Sequence, residues 1–181
     1  MRNSLQELED SLLKDYKFQL HPDAKKVLAI TPEFFTSYGE MDISCSDRIW
    51  DSWMDYLEWR PKNRNKCSVE FLKSKLNPWC DKAENFNIWT KKLPRKFLDE
   101  IKDKYDAFHY AIRTDQVIIG ICFAQFMLEG KIVNELKKLL LHTLERNLDS
   151  EALNRWGNPN DITRKEIENS LKAYKKVIGL L

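Results

Sequence analysis

The stretch DQVIIGICFAQFMLE, residues 115–129, decides the fold because it is apolar on nearly every side of a helix. Such a helix needs neighbours all around it, so the stretch predicts the central helix of a bundle. Its apolar run is interrupted at Gln125, ends at Glu129 and is shorter than the roughly 20 residues that cross a membrane, so we expect no membrane span. Gly120 costs about 1 kcal/mol of helix propensity there and predicts a close helix crossing.

Helical patterns flank this stretch on both sides. Segments 94–112 and 131–148 repeat apolar residues at the spacing of an amphipathic helix, and a last helix is predicted from Thr163 to the chain end. A short helix is predicted in 81–89. Further helix starts are predicted where a serine or threonine fits the N-cap position: Ser4, Thr31, Ser46 and Ser68. Residues 25–30 fit either a helix or a strand.

These patterns predict a single all-α domain over residues 1–181, a helical bundle of about six to eight helices with a buried central apolar helix. Charge is distributed unevenly along it. Residues 1–59 hold 6 basic and 12 acidic residues, a net charge of −6, whereas 60–181 hold 24 and 16, a net charge of +8. We therefore expect an acidic N-terminal part, 1–59, packed on a basic helical part, 60–181.

The segment SDRIWDSWMDYLEW, residues 46–59, contains three tryptophans and predicts one of these helices. At about 100° per residue, one face of that helix carries an apolar stripe formed by Ile49, Trp50, Trp53, Met54 and Leu57. This spacing predicts that Trp50 and Trp53 lie in the core. Trp59 falls on the opposite side, at the end of the helix.

The acidic residues of the same helix share one face, which we call the acidic stripe. It spans about 80° of arc and consists of Asp47, Asp51, Asp55 and Glu58. Like charges at i and i+4 repel by a few tenths of a kcal/mol, so we expect a compensating contact. That contact is either internal, from basic residues of 60–66 or 91–96 that fold back, or external, from a basic protein partner.

The leading hypothesis is an intracellular protein-binding module, for instance an inhibitor, an antitoxin-like protein or an immunity-like protein. Its four acidic residues would bind a basic protein partner, with Trp59 as an anchor at the end of the stripe. Acidic faces of inhibitors often complement basic clefts, and such complementarity accelerates association.

The alternative hypothesis is a nucleic-acid-binding helical protein that uses two basic segments. Its candidate residues are Arg60, Lys62, Arg64, Lys66, Lys91, Lys92, Arg95 and Lys96. Against it, the pI of about 8.2 is lower than the value above 9 typical of such domains. A stacking platform also needs several exposed aromatic rings, and two of the three tryptophans are predicted to point inward.

Catalytic motifs are missing from the sequence, which favours a non-enzymatic role. A helical metal-dependent enzyme using His109 or His142 is the third hypothesis, but neither histidine stands in a glutamate-x-x-histidine pair. The four cysteines, Cys45, Cys67, Cys80 and Cys122, have no metal-type spacing. We therefore predict no catalytic residue, no metal site and no cofactor.

The N-terminal stretch MRNSLQELED has no apolar signal core, and the cysteines are expected to be reduced thiols. Both observations predict a cytoplasmic protein. The pattern leaves the oligomeric state and the identity of a partner open.

Overall fold

The computed structural model describes residues 4–35, 41–43, 46–76 and 105–181, without the side chains of Asp15, 105–111 and Arg155. These ranges contain eight α-helices, two short 3-10 turns and no strand, which confirms the predicted all-α class. The elements are α1 (Leu5–Tyr16), α2 (Pro22–Ala29), a 3-10 turn (Pro32–Phe35), α3 (Asp47–Lys62), α4 (Ser68–Leu76), α5 (Tyr105–Glu129), α6 (Asn134–Asn147), α7 (Ser150–Leu153), a second 3-10 turn (Asn154–Trp156) and α8 (Ile162–Gly179).

Several helix starts agree with the capping pattern. The Ser4 hydroxyl accepts a hydrogen bond from the Glu7 N–H at 3.2 Å, and the Ser46 hydroxyl accepts one from the Ile49 N–H at 3.3 Å. Residues 25–30 fitted either a helix or a strand in the sequence, and the structure shows a helix, since α2 runs to Ala29. Its cap is His21, whose Nδ1 accepts from the Asp23 N–H at 3.2 Å. Each cap satisfies an amide that has no partner inside its helix.

The other predicted starts differ in detail, although the first 3-10 turn does begin at Pro32, directly after Thr31. Ser68 is the first residue of α4 and its hydroxyl is engaged by Tyr56 instead. The Thr31 hydroxyl donates back to the Val27 carbonyl oxygen at 2.9 Å, and α8 begins at Ile162, one residue before Thr163. In the first two cases a tertiary or a backward hydrogen bond replaces the local one that the capping rule assumes.

The central helix is α5, and Val117 to Met127 are all buried. It is longer than predicted: one helix of 25 residues runs through Arg113 and Thr114, where the sequence pattern changes from amphipathic to apolar. No glycine or proline stands at that change, so the backbone has no reason to break there. Among the described helices, none is long and apolar enough to cross a membrane. The predicted helix 81–89 and the segment 94–104 lie outside the described residues.

Gly120 lies at a close helix crossing, as the sequence predicts, and the helix that meets α5 there is α3. A Cβ atom at Gly120 would lie 2.2 Å from the Ser52 Oγ and 2.4 Å from the Ile49 carbonyl oxygen. Real Cβ atoms do not approach other heavy atoms so closely, so the two backbones meet here because position 120 has no side chain.

This crossing rotates α3 relative to its predicted orientation. The buried residues of α3 are Ile49, Ser52, Trp53, Tyr56 and Leu57, which centre on Tyr56 and Ile49 and not on Trp50. Trp53 is fully buried, but Trp50 is only half-buried, so the expectation that Trp50 is a core residue is wrong. The small Ser52 is turned inward because it fits against Gly120, and the larger Trp50 is thereby moved to the edge.

We expect Gly120→Ala to lower the free energy of unfolding by about 1–3 kcal/mol, the usual cost of overpacking, although alanine is the better helix former. One of the two clashes is with the backbone of Ile49, which a rotamer change cannot relieve. Urea unfolding followed by circular dichroism measures the change. Gly179→Ala is the matched control, since nothing lies within 4 Å of its Cβ position in α8. Equal stability of both variants would contradict the close crossing.

Candidate functional site

The acidic stripe faces solvent along α3. Its members Asp47, Asp51, Asp55 and Glu58 are all exposed. They share this face because the opposite one, with Tyr56 and Ile49 at its centre, packs on α5. The helical repeat alone therefore displays four carboxylates in one row.

Within the described residues, the internal compensation of the stripe comes from Lys75 and Arg48 and not from the cations of 60–66. Lys75 of α4 forms an ion pair with Asp55, with Nζ and Oδ2 separated by 2.6 Å. Asp51 has Arg48 as an electrostatic neighbour, and its carboxylate favours the charged form of Arg48, whose pKa is lowered by burial and by Arg113. Lys75 and Arg48 are both partly exposed, and an ion pair at an exposed position contributes little stability.

The two ends of the stripe are less compensated. Among the described residues, neither Asp47 nor Glu58 has an ion-pair partner. Arg60, one of the cations expected to fold back, binds Glu129 of α5 instead, at 2.8 Å between Nε and Oε1. Lys91, Lys92, Arg95 and Lys96 lie outside the described residues. Within the described chain, the stripe thus keeps an excess of negative charge.

Trp59, the predicted anchor, is partly buried and packs on α4. Its ring stacks on Phe71 with centroids 4.5 Å apart and an interplanar angle of 29°. The Arg60 guanidinium lies 6.0 Å from the Trp59 ring centroid. One face of the indole is therefore covered by the protein itself, which leaves less of it for a partner.

The cations after Trp59 lie at the end of α3 and in the turn that joins it to α4. Lys62, Arg64 and Lys66 are exposed, whereas Arg60 is half-buried against Glu129. The Arg60 Nη1 donates to the Lys66 carbonyl oxygen at 2.7 Å, so Arg60 also holds the turn in place. The structure brings three of the four cations of segment 60–66 to the surface at one end of the acidic stripe.

A buried polar network joins α3, α4 and α5, and the sequence analysis missed it. The Tyr56 hydroxyl donates to Glu129 Oε1 at 2.7 Å and lies 2.8 Å from the Ser68 hydroxyl. Gln125 Nε2 donates to Ser68 at 3.1 Å, and Gln125 Oε1 accepts from the Val133 N–H at 3.1 Å. Burial raises the pKa of Tyr56 well above its usual range. The polar interruptions of the apolar run, Gln125 and Glu129, were the available signal for this network.

A second buried cluster lies between α5 and α6. Arg146 Nε donates to Asp115 Oδ2 at 3.3 Å, its Nη2 forms a further bond to Oδ1, and Asn147 Nδ2 donates to Asp115 Oδ2 at 2.7 Å. The ion-pair side chains are 5% and 4% exposed. Asp115, Arg146 and Asn147 are all buried, so their hydrogen bonds fix the position of α6 on α5.

In the part of the chain that the structure describes, the groups considered for metal or nucleophilic chemistry do not come together. Within the described residues, no three histidine, cysteine, aspartate or glutamate side chains are close enough to hold a metal ion. His142 lies on α6, and the side chain of His109 is outside the described set. Cys67 is exposed, whereas Cys122 is buried, and burial raises the pKa of the Cys122 thiol far above its usual range. A thiol in that state is not a nucleophile. Cys45 and Cys80 lie outside the described residues.

Comparison of the sequence with models of known families, with curated proteins and with solved structures found no match. The function is therefore inferred from the side chains of this chain. The acidic stripe is a described surface where a repeated charge coincides with incomplete internal compensation.

Proposed function

We propose that this protein is a protein-binding module whose acidic stripe on α3 binds a basic surface of a partner protein. The observation that carries the proposal is the row of four exposed carboxylates of which only Asp55, among the described residues, has an ion pair. The inhibitor, antitoxin-like and immunity-like roles are forms of this same activity, in which the bound basic surface is an active-site cleft.

Rigidity of the helix supports the proposal. Trp53 and Tyr56 hold α3 to the core from the opposite face, and both are fully buried. A row of charges on a fixed helix is already arranged before a partner arrives, so little conformational freedom is lost on binding. Complementary charge then increases the rate of association, and the increase falls as salt rises.

The half-buried edge of α3 supplies apolar area next to the acids. Trp50 and Met54 pack against the core without being covered by it, and the Tyr16 ring of α1 meets Trp50 edge to face at 6.1 Å. Tyr16 is 42% exposed. Binding energy concentrates on such aromatic residues within a charged rim, so this edge complements the acidic stripe as a contact region.

The test is an affinity purification with the charge of the stripe reversed at its two ends. We expect Asp47→Lys/Glu58→Lys to retain basic partner proteins at least about tenfold less than the wild type, because the row loses its net charge. These positions are chosen because Asp55 pairs with Lys75 and Asp51 neighbours Arg48. Stability should fall by about 1 kcal/mol at most: both sites are exposed, but Asp47 lies in the first turn of α3, where a negative charge is favourable.

Glu135→Lys/Glu145→Lys on the exposed face of α6 is the matched control, with the same change in charge. Quantitative mass spectrometry of the retained proteins compares the three baits, with and without nuclease. Retention that falls only with the stripe variant, and is insensitive to nuclease, supports the proposal. Equal retention by all three baits would overturn it.

Nucleic-acid binding is the second candidate, because Lys62, Arg64 and Lys66 are exposed together on one turn. If the protein binds nucleic acid, the stripe variant and the wild type should retain the same material in the affinity purification, and nuclease should remove it from both. Binding that weakens with salt and with the triple alanine variant of these cations would favour it. The coverage of Trp59 by Phe71 disfavours it, since a base would have to displace that contact to stack on both faces.

A further inference from the structure

The acidic stripe holds a cation that comes from the protein itself. Lys75 of α4 places its Nζ 2.6 Å from Asp55 Oδ2 and 5.5 Å from the centroid of the Phe71 ring. A carboxylate attracts an ammonium group by its charge, and the face of an aromatic ring attracts it through the ring quadrupole. We call Asp55 together with the Phe71 ring the cation subsite. At this point of the stripe, the group that is bound is a cation.

The cation subsite belongs to two helices that are anchored in the core. Asp55 precedes Tyr56, which is fully buried in α3, and Phe71 of α4 is 6% exposed. The Phe71 ring also stacks on Trp59, with centroids 4.5 Å apart. None of these anchoring contacts depends on Lys75, so the subsite stays formed when Lys75 leaves it. A site that is formed in advance loses little conformational freedom when it binds a ligand.

Separation of Lys75 from the subsite is not strongly disfavoured. The side chains of Lys75 and Asp55 are 36% and 51% exposed, so water solvates both charges when they separate. An exposed ion pair of this kind is favoured over the separated state by up to about fivefold. The open subsite is therefore a populated state of the free protein, which an external cation can enter.

An external cation competes with Lys75 for this position. Two positive charges at one carboxylate repel each other, so an ammonium or guanidinium group from outside binds Asp55 best after Lys75 has left. Competition of this kind lowers the apparent affinity by the fraction of molecules in which the subsite is open. The helix α4 keeps Lys75 close to Asp55, so the competitor is always present at a high local concentration.

We infer that Lys75 is an autoinhibitory contact of the acidic stripe: it occupies the cation subsite in the free protein, and a lysine or arginine side chain of the basic partner replaces it. This inference rests on the proposed protein-binding function, and it adds which carboxylate receives the partner's cation and what restricts access to it. Since the subsite is open in about one half to one sixth of the molecules, Lys75 lowers the apparent affinity about two- to sixfold.

The first test is a calorimetric titration of the full chain with an N-acetylated decaarginine peptide as the basic probe. We expect Lys75→Ala to bind the probe about two- to sixfold more tightly than the wild type. Lys73→Ala is the matched control, because it removes the same charge from the same helix, where Lys73 forms its ion pair with Glu70. At about 0.1 M salt, where the Debye length is about 10 Å, this control should stay within about 1.5-fold of the wild type.

A double-mutant cycle with Asp55→Asn assigns the gain to the cation subsite. In the Asp55→Asn background, Lys75→Ala should change the affinity by less than about 1.5-fold, because Lys75 then has no carboxylate to occupy. An affinity of Lys75→Ala equal to that of Lys73→Ala, or the same gain with and without the Asp55 carboxylate, would overturn the inference.

Displacement of Lys75 can also be measured in the wild-type protein, without any substitution. Acetic anhydride acetylates a lysine amine but leaves the guanidinium groups of the probe unmodified, and mass spectrometry quantifies the product at each lysine. Saturating probe should raise the acetylation rate of Lys75 about twofold or more, because the released amine is no longer held by Asp55. The rate at Lys73 should stay unchanged. An unchanged or slower reaction of Lys75 would contradict its replacement by the probe.

The stripe variant Asp47→Lys/Glu58→Lys separates the failure of this inference from the failure of the proposed function. If that variant binds the probe as tightly as the wild type, the acidic stripe is not the binding surface, and both proposals fail. If its binding falls while Lys75→Ala and the acetylation of Lys75 show no response, the proposed function stands and the autoinhibitory contact is refuted.

Discussion

Asp115→Ala should lower the free energy of unfolding by about 3–5 kcal/mol, because it leaves the Arg146 guanidinium buried without its carboxylate. The two side chains are 4% and 5% exposed, so water cannot replace the lost partner without a rearrangement of α6 on α5. Asn147 loses an acceptor at 2.7 Å in the same substitution. The free energy of unfolding of a small domain is about 5–15 kcal/mol, so this variant should be close to unfolding at room temperature.

Chemical denaturation measures this effect, and two controls separate its causes. Asp115→Leu/Arg146→Leu removes both charges together, and its stability should be much closer to that of the wild type, because the desolvation cost of the pair is removed as well. Glu70→Ala breaks the exposed ion pair to Lys73, 2.9 Å apart, and should cost less than about 1 kcal/mol. A loss below 1 kcal/mol for Asp115→Ala would show that Arg146 reaches solvent. A double variant as unstable as the single one would show that the pair contributes net stability.

The central helix was predictable because its signal is local. The run from Val117 to Leu128 has no charged residue, so it is most stable in the core, and α5 places it in the core. The role of Gly120 was also predictable, because a glycine inside a helical pattern usually has a packing reason. Both predictions depend on residues within one segment.

The orientation of α3 was not predictable because it depends on a partner helix. The apolar pattern alone centres the buried face near Trp50, but Ser52 fits against Gly120 and turns the helix. Tyr56 also lies on the buried side, where Ser68 and Glu129 bind its hydroxyl. A hydrophobic stripe treats serine as polar and tyrosine as intermediate, so it cannot register either contact.

Residue spacing placed the four carboxylates of the acidic stripe on one side of α3, and that side is exposed, but spacing did not predict the contact between Lys75 and Asp55. The sequence suggested cations of 60–66 or of 91–96. Within the described residues, Lys75 reaches Asp55 from α4 and Arg60 binds Glu129, whereas 91–96 lie outside them. Buried pairs such as Asp115 and Arg146 were missed for a related reason. They are 31 positions apart, and only the packing of α5 on α6 brings them together. Whether a charge is neutralised is a tertiary property that a one-dimensional pattern does not contain.

The orientation of α3 leads to the second large prediction. Trp53→Ala should lower the free energy of unfolding by about 3–5 kcal/mol, because it removes a fully buried ring and leaves a cavity against α5. Trp50→Ala should cost about 1–2 kcal/mol, since its ring is only half-buried. Circular dichroism should follow the unfolding, as both substitutions change the tryptophan fluorescence.

The order of the two losses distinguishes the two orientations of the helix. If the buried face were centred on Trp50, as the apolar stripe suggests, Trp50→Ala would be the more damaging change and the acids would be rotated relative to the core. A larger loss for Trp53 means that Ser52 faces Gly120, as observed, and that Asp47, Asp51 and Glu58 point to solvent together. The same pair of variants therefore tests the geometry on which the proposed binding face depends, independently of any partner.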